Sequence, residues 1–134
     1  MDAHVKDVVR DLTRVSDEEQ ILFPDVVKAL MDVGVERYHA DLVKHEKTYY
    51  TPAGQSFVVA SHPCDSPPGQ EFLADQIEAA VRASQRRQIG YREFCRRALQ
   101  AGCAGYWVSI AGKRAVYYGR TGETHVELFP ASTS

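Results

Sequence analysis

The chain has 134 residues, 44% of them apolar and 25% charged, with a formal net charge of -2 at pH 7. This length holds one domain rather than two, and it buries enough surface to build a core without disulfides or metals. The start, Met1-Asp2-Ala3-His4-Val5, has neither the basic nor the apolar stretch of a secretory signal, and no apolar run reaches the length of a membrane span. Cys64, Cys95 and Cys103 have no Cys-x-x-Cys spacing and read as reduced thiols, so a cytoplasmic protein with no membrane partner is expected.

In chain order, Val5, Val8, Val9 and Leu12 form one stripe and predict an N-terminal amphipathic helix. Ser16 followed by Glu19 has capping-box spacing and predicts a helical turn that begins at Asp17 and leads toward Pro24. Val26, Val27, Leu30 and Met31 recur with helical spacing, and Gly34 is suited to end that helix in a left-handed cap. The period then changes to two: Tyr38, Ala40 and Leu42 alternate with Arg37, His39 and Asp41, the mark of a half-buried strand. Residues 47–51 and 55–60 are β-rich and joined through Pro52-Ala53-Gly54. Residues 61–69 have linker composition, and a central helix is expected over about 70–87. The pattern then recurs, with a short helix around Phe94, Cys95, Ala98 and Leu99 closed by Gly102, and a strand carrying Tyr106, Val108 and Ile110. Strands over 114–119 and 123–129 follow, joined through Arg120-Thr121-Gly122, and residues 131–134 are expected to fray.

The recurrence is ungapped. At an offset of 68 (102 minus 34) Gly34 falls on Gly102, Tyr38 on Tyr106, Tyr49-Tyr50 on Tyr117-Tyr118, Gly54 on Gly122 and Val58 on Val126. Two copies of a helix-strand-strand-strand unit, 23–60 and 91–128, are therefore expected. They would give an α+β fold with a pseudo-twofold and a largely antiparallel sheet with helices packed against it. Whether the six strands form one sheet or two is open at this point.

Phe23-Pro24, Gly34-Val35, Arg37-Tyr38, Thr48-Tyr49-Tyr50, Phe94-Cys95-Arg96, Ala101-Gly102, Trp107-Val108 and Tyr117-Tyr118 occur in order along the chain. In these motifs the sequence resembles the small bacterial and phage-associated family labelled "phage envelope protein", domain of unknown function 1398. The resemblance implies a cytoplasmic single-domain α+β protein and implies no chemistry. One departure is Gly90, where the family usually places an acidic or hydroxyl cap ahead of the tyrosine, and a weaker helix cap is expected there.

If the helices cover the face of Tyr38, Ala40 and Leu42, the opposite face gathers Arg37, His39, Asp41, Tyr49, Trp107, Ser109, Tyr117, His125 and Glu127. Rigid rings with a few charges suit recognition of a second copy or a small molecule. The plainer reading is a wet, polar sheet face. A non-enzymatic binding or interaction module is the favoured reading, and an enzyme using His39 and Asp41 as an acid/base pair on a small polar substrate is the alternative. A third reading is nucleic-acid binding through Arg82, Arg86, Arg87, Arg92 and Arg96, where spacing of four places pairs on one helical face. Overall acidity and the absence of a nucleic-acid motif argue against it. His62, Cys64 and Asp65 lie in the linker, and His39 and His45 on neighbouring strands, without metal-ligand spacing, so no metal or other cofactor is expected. Cys64 is the exposed thiol, while Cys95 and Cys103 match Val27 and Val35 and read as core. His62 in a proline-containing loop is a poor base for thiol catalysis.

Overall fold

Helix α1 (Ala3–Asp17) opens the chain, and Asp2 caps it by accepting from the Val5 amide at 2.9 Å. The computed structural model describes residues 1–130, so the terminal residues expected to fray, 131–134, lie outside the described residues. After α1 come α2 (Phe23–Asp32), β1 (Arg37–Asp41), β2 (Glu46–Tyr50) and β3 (Ser56–Ala60). The remaining elements are α3 (Ala74–Gln85), α4 (Tyr91–Gln100), β4 (Cys103–Ser109), β5 (Arg114–Gly119) and β6 (Thr124–Leu128). The strands form one fully antiparallel sheet in the order β3-β2-β1-β4-β5-β6, which resolves the one-or-two-sheet question. The fold is α+β. None of the helices among the described residues is long and apolar enough to cross a membrane.

The strand order is symmetric about the β1/β4 seam, and the central register pair there is His39 with Trp107, which are themselves 68 positions apart. Backbone geometry recurs at the same offset. The described residues with left-handed φ fall into four pairs: Glu19 and Arg87, Gly34 and Gly102, His45 and Lys113, Gly54 and Gly122. Glu19 and Arg87 close α1 and α3 alike: the Gln20 amide donates to Val15 O and the Gln88 amide to Ala83 O, the wide hydrogen bond of a Schellman cap. The recurrence of backbone geometry at this offset therefore includes the ends of α1 and α3, outside the units read from sequence.

It also corrects one expectation. Ser16 and Asp17 do not start a helix; they end α1, and α2 begins at Phe23 with Pro24 in its first turn. The left-handed position after α1 is held by Glu19 instead of glycine, so the usual stop signal is missing from the sequence. Glu19 also supplies the cap that Gly90 lacks. Its Oε1 accepts from the Arg92 amide at 3.0 Å, at the positive N-terminal end of α4, and a Cβ at Gly90 would collide with that carboxylate.

All of the core lies between the helices and one face of the sheet. Val9, Leu30, Ile77 and Ala98 from the four helices are fully buried against Tyr38, Tyr49, Tyr106, Val108 and Tyr117 from the strands. Among the described residues no helix covers the opposite face of the sheet.

Candidate functional site

Register decides which side chains the open face holds. Counting across the six strands, its central row is Val58, Thr48, His39, Trp107, Val116 and Val126. One flanking row carries Tyr50, Arg37, Ser109 and Arg114, and the other carries Glu46, Asp41, Gly105 and Tyr118. Arg37, His39, Asp41 and Trp107 are thus brought together as expected.

Tyr49, Tyr117, His125 and Glu127 are not on this face, and their expected placement is corrected. Tyr49 pairs with Tyr38 and Tyr117 with Tyr106, so both point under the helices and are buried. His125 pairs with Tyr117, and Glu127 with Ala115, on that same helix-covered side. A strand shifted by one residue exchanges its faces, and the turns from Leu42 to His45 and from Ile110 to Lys113 place the first tyrosine of each Tyr-Tyr pair inward and the second outward. Sequence reasoning chose the wrong member of each pair and missed Tyr50 and Tyr118; the register of the first hairpin was the signal it lacked.

The outward rings make a pseudo-symmetric cluster at the β1/β4 seam. The His39 and Trp107 rings lie 4.7 Å apart. His39 reaches across β4 to stack on Tyr118 at 5.7 Å, and its Nε2 shares a 2.6 Å hydrogen bond with the Tyr118 hydroxyl. Trp107 reaches across β1 to Tyr50 at 5.7 Å, the equivalent contact in the other half. Gly105 makes room for this crossing, because a Cβ there would meet Tyr118 Oη and Ala40 O. Arg37 lies 4.0 Å above the Tyr50 ring and 5.5 Å from Trp107. Burial under these rings lowers the His39 pKa, opposed by the charges of Asp41 and Glu46.

His39 and Asp41 share a face without touching as an acid/base pair. The Asp41 carboxylate accepts the Val43 and Lys44 amides through Oδ1, both at 2.9 Å, and closes the turn after β1. His39 Nε2 is engaged by Tyr118.

Most of the arginines of α3 and α4 are engaged in contacts within the chain. Arg82 donates to Glu127 at 2.8 Å, and Arg92 donates through Nε to the Asp17 carbonyl. Arg96 and Arg97 both pair with Glu93 and hold its carboxyl down at about 2. Arg86 and Arg87 form the turn that ends α3. Glu78, His125 and Glu127 offer donor atoms within 4.8 Å of one another, but Arg82 lies among them and bonds both carboxylates, so the group reads as an ion-pair network.

A second constellation forms on the helix side, where β2, the loop after β3 and the start of α4 meet. Asp17 at the end of α1 anchors that loop: its Oδ1 accepts from Ser61 Oγ at 2.8 Å and His62 Nδ1 at 3.0 Å, and its Oδ2 accepts the His62 amide. His62 is therefore held by a scaffold, which corrects the expectation drawn from its loop position. Lys47, 4% exposed, lies with Nζ 4.3 Å above the Tyr91 ring, and burial lowers its pKa. Cys64 is partly buried, whereas Cys95 is fully buried and its thiol is pushed up to about 12 by burial. Cys103, also buried as expected, hydrogen-bonds the Gly105 carbonyl on β4.

A search of curated proteins finds no match to the chain. Residues 69–127, which hold α3, α4, β4, β5 and most of β6, match the family described as "Protein of unknown function (DUF1398)", the same family that the ordered sequence motifs resemble.

Proposed function

We propose that the protein is a non-enzymatic, cytoplasmic interaction module whose contact surface is the open face of the sheet and whose partner is a second copy of the chain. The observation that carries this reading is the central row Val58-Thr48-His39-Trp107-Val116-Val126, a band across six strands in which four residues are apolar or aromatic and Thr48 and His39 are polar, with no helix among the described residues over it. Val58 and Val126 at its ends are 51% and 47% exposed. The four residues between them are half-buried, and an apolar and aromatic face of this kind suits an interaction site.

The charges favour self-association over phosphate binding. Arg37 and Arg114 lie on one side of the band and Asp41 and Glu46 on the other, so the face is polarised and carries no excess of positive charge. A twofold axis in the plane of the interface, perpendicular to the strands, stacks the apolar band on itself. The same axis sets Arg37 opposite Asp41 of the partner subunit, twice. Asp41 uses Oδ1 for its own turn, which leaves Oδ2 for that pairing. Sheets packed this way sit about 10 Å apart with side chains interdigitated.

Sedimentation equilibrium of the full chain tests the reading. A concentration-dependent dimer is expected, weakened at least about tenfold by Arg37→Asp or by Asp41→Arg and restored by the double exchange. Trp107→Ala should abolish it while circular dichroism shows the fold retained. A monomer at all concentrations, or a dimer indifferent to these changes, defeats the proposal.

A further inference from the structure

We propose that Cys64 is a peroxide-reactive thiol and that Cys95 completes its oxidation as a disulfide, in the small cavity that Lys47, His62 and Tyr91 also line. The cavity is about 20 Å³, enough for one water-sized molecule, so its co-reactant is no larger than hydrogen peroxide. Both sulfurs border it: Cys64 from the loop after β3, partly accessible, and Cys95 from α4 beneath it.

An independent observation points to an anion formed here. Lys47 is almost wholly buried, and among the described residues it makes neither a hydrogen bond nor an ion pair; its ammonium lies 4.3 Å from the centre of the Tyr91 ring and 5.9 Å from that of Tyr38. A buried ammonium held in no ion pair is costly, and a thiolate formed in this cavity adds to the counter-charge that Asp17 supplies at longer range. The halves of the fold correspond at an offset of 68, yet Lys47 corresponds to Ala115 and Cys95 to Val27. The lysine-thiol pair is thus confined to one half; beside Ala115 the other half places the buried, ion-paired Glu127 instead.

The chemistry balances. His62, oriented through Nδ1 by Asp17, takes the Cys64 thiol proton at Nε2. The thiolate attacks one peroxide oxygen; the S–O bond forms, the O–O bond breaks, and the departing hydroxide takes the proton from His62 and leaves as water. Cys64 is now a sulfenic acid, with the peroxide reduced by two electrons. The Cys95 sulfur then displaces the sulfenic hydroxyl, and its thiol proton leaves with that hydroxyl as a second water.

The test treats the reduced full-length protein with one equivalent of hydrogen peroxide at pH 7 and maps the products by mass spectrometry. The expected result is loss of two hydrogen atoms with a Cys64–Cys95 cross-linked peptide, while Cys103 stays a thiol. Cys95→Ser should instead accumulate a dimedone adduct on Cys64, and Lys47→Met should slow its formation at least about tenfold. Oxidation of Cys64 no faster than in the urea-unfolded chain overturns the proposal. So does a cross-link through Cys103, no adduct in Cys95→Ser, or an unchanged rate in Lys47→Met.

Discussion

His39 and Trp107 face each other across the β1/β4 seam with their rings 4.7 Å apart, and the same two residues occupy equivalent positions in the two halves of the chain. An ionisable ring thus sits beside the only tryptophan of the sequence, at the middle of the β1/β4 register. Their outward partners, Tyr118 and Tyr50, are equivalent to each other in the same way, so one aromatic cluster is built from one position pair used twice.

That placement makes His39 a source of pH-dependent stability. Burial is the largest influence on it and depresses its folded pKa, while the unfolded ring keeps the ordinary value near ~6.5. The unfolded chain therefore binds the proton first, so stability is full above about pH 6.5 and is lost as pH falls toward the folded value. Urea unfolding between pH 7.5 and 5 is expected to show a decline that His39→Gln reduces. An identical slope in the variant would show that His39 does not titrate differently in the two states.

Lys47 should cost stability. Burial lowers its folded pKa, so the unfolded chain holds the proton more tightly, and folding is penalised increasingly as pH falls below the ordinary lysine value of ~10.4. Lys47→Met keeps the reach of the side chain without the charge and is expected to stabilise the fold by about 1 to 2 kcal/mol at pH 7, less near pH 10.5. Thermal unfolding at both values checks this, and destabilisation at pH 7 would mean that the contact with Tyr91 outweighs the buried charge.

Tyr49 and Tyr50 are adjacent and should respond to mutation in different assays. Tyr49 is buried, and its hydroxyl meets Thr13 Oγ1 at 2.9 Å while Thr13 also donates to the Val9 carbonyl. Tyr49→Phe leaves Thr13 with a partner, so it should cost about 1 kcal/mol of stability and leave self-association unchanged. Tyr50→Ala, on the open face, should weaken self-association more than folding. Paired calorimetry and sedimentation measurements separate the two, and the reverse pattern would place the wrong tyrosine in the core.

The sequence alone was sufficient for what depends on neighbours within a few positions. Helical spacing in Val26, Val27, Leu30 and Met31, left-handed glycines at 34 and 102, alternation after each, and recurrence at one offset together determined the elements and the α+β class. Arg37, His39, Asp41 and Trp107 could be placed on one face because they sit on two strands that the pattern made legible. Only the tertiary structure decided the rest. The turns after β1 and β4 decided that Tyr50 and Tyr118 point outward while Tyr49 and Tyr117 point inward, since strand parity follows from pairing, not composition. Glu19 ended α1 without a glycine and capped α4, a contact between residues far apart in sequence. Lys47 alternates along β2 like any solvent-facing charge, and His62 sits in a loop; α4 and Asp17 fold over them and convert both into members of one buried cluster. Local periodicity encodes which elements form, but which polar groups lose their water is settled by packing between elements distant along the chain.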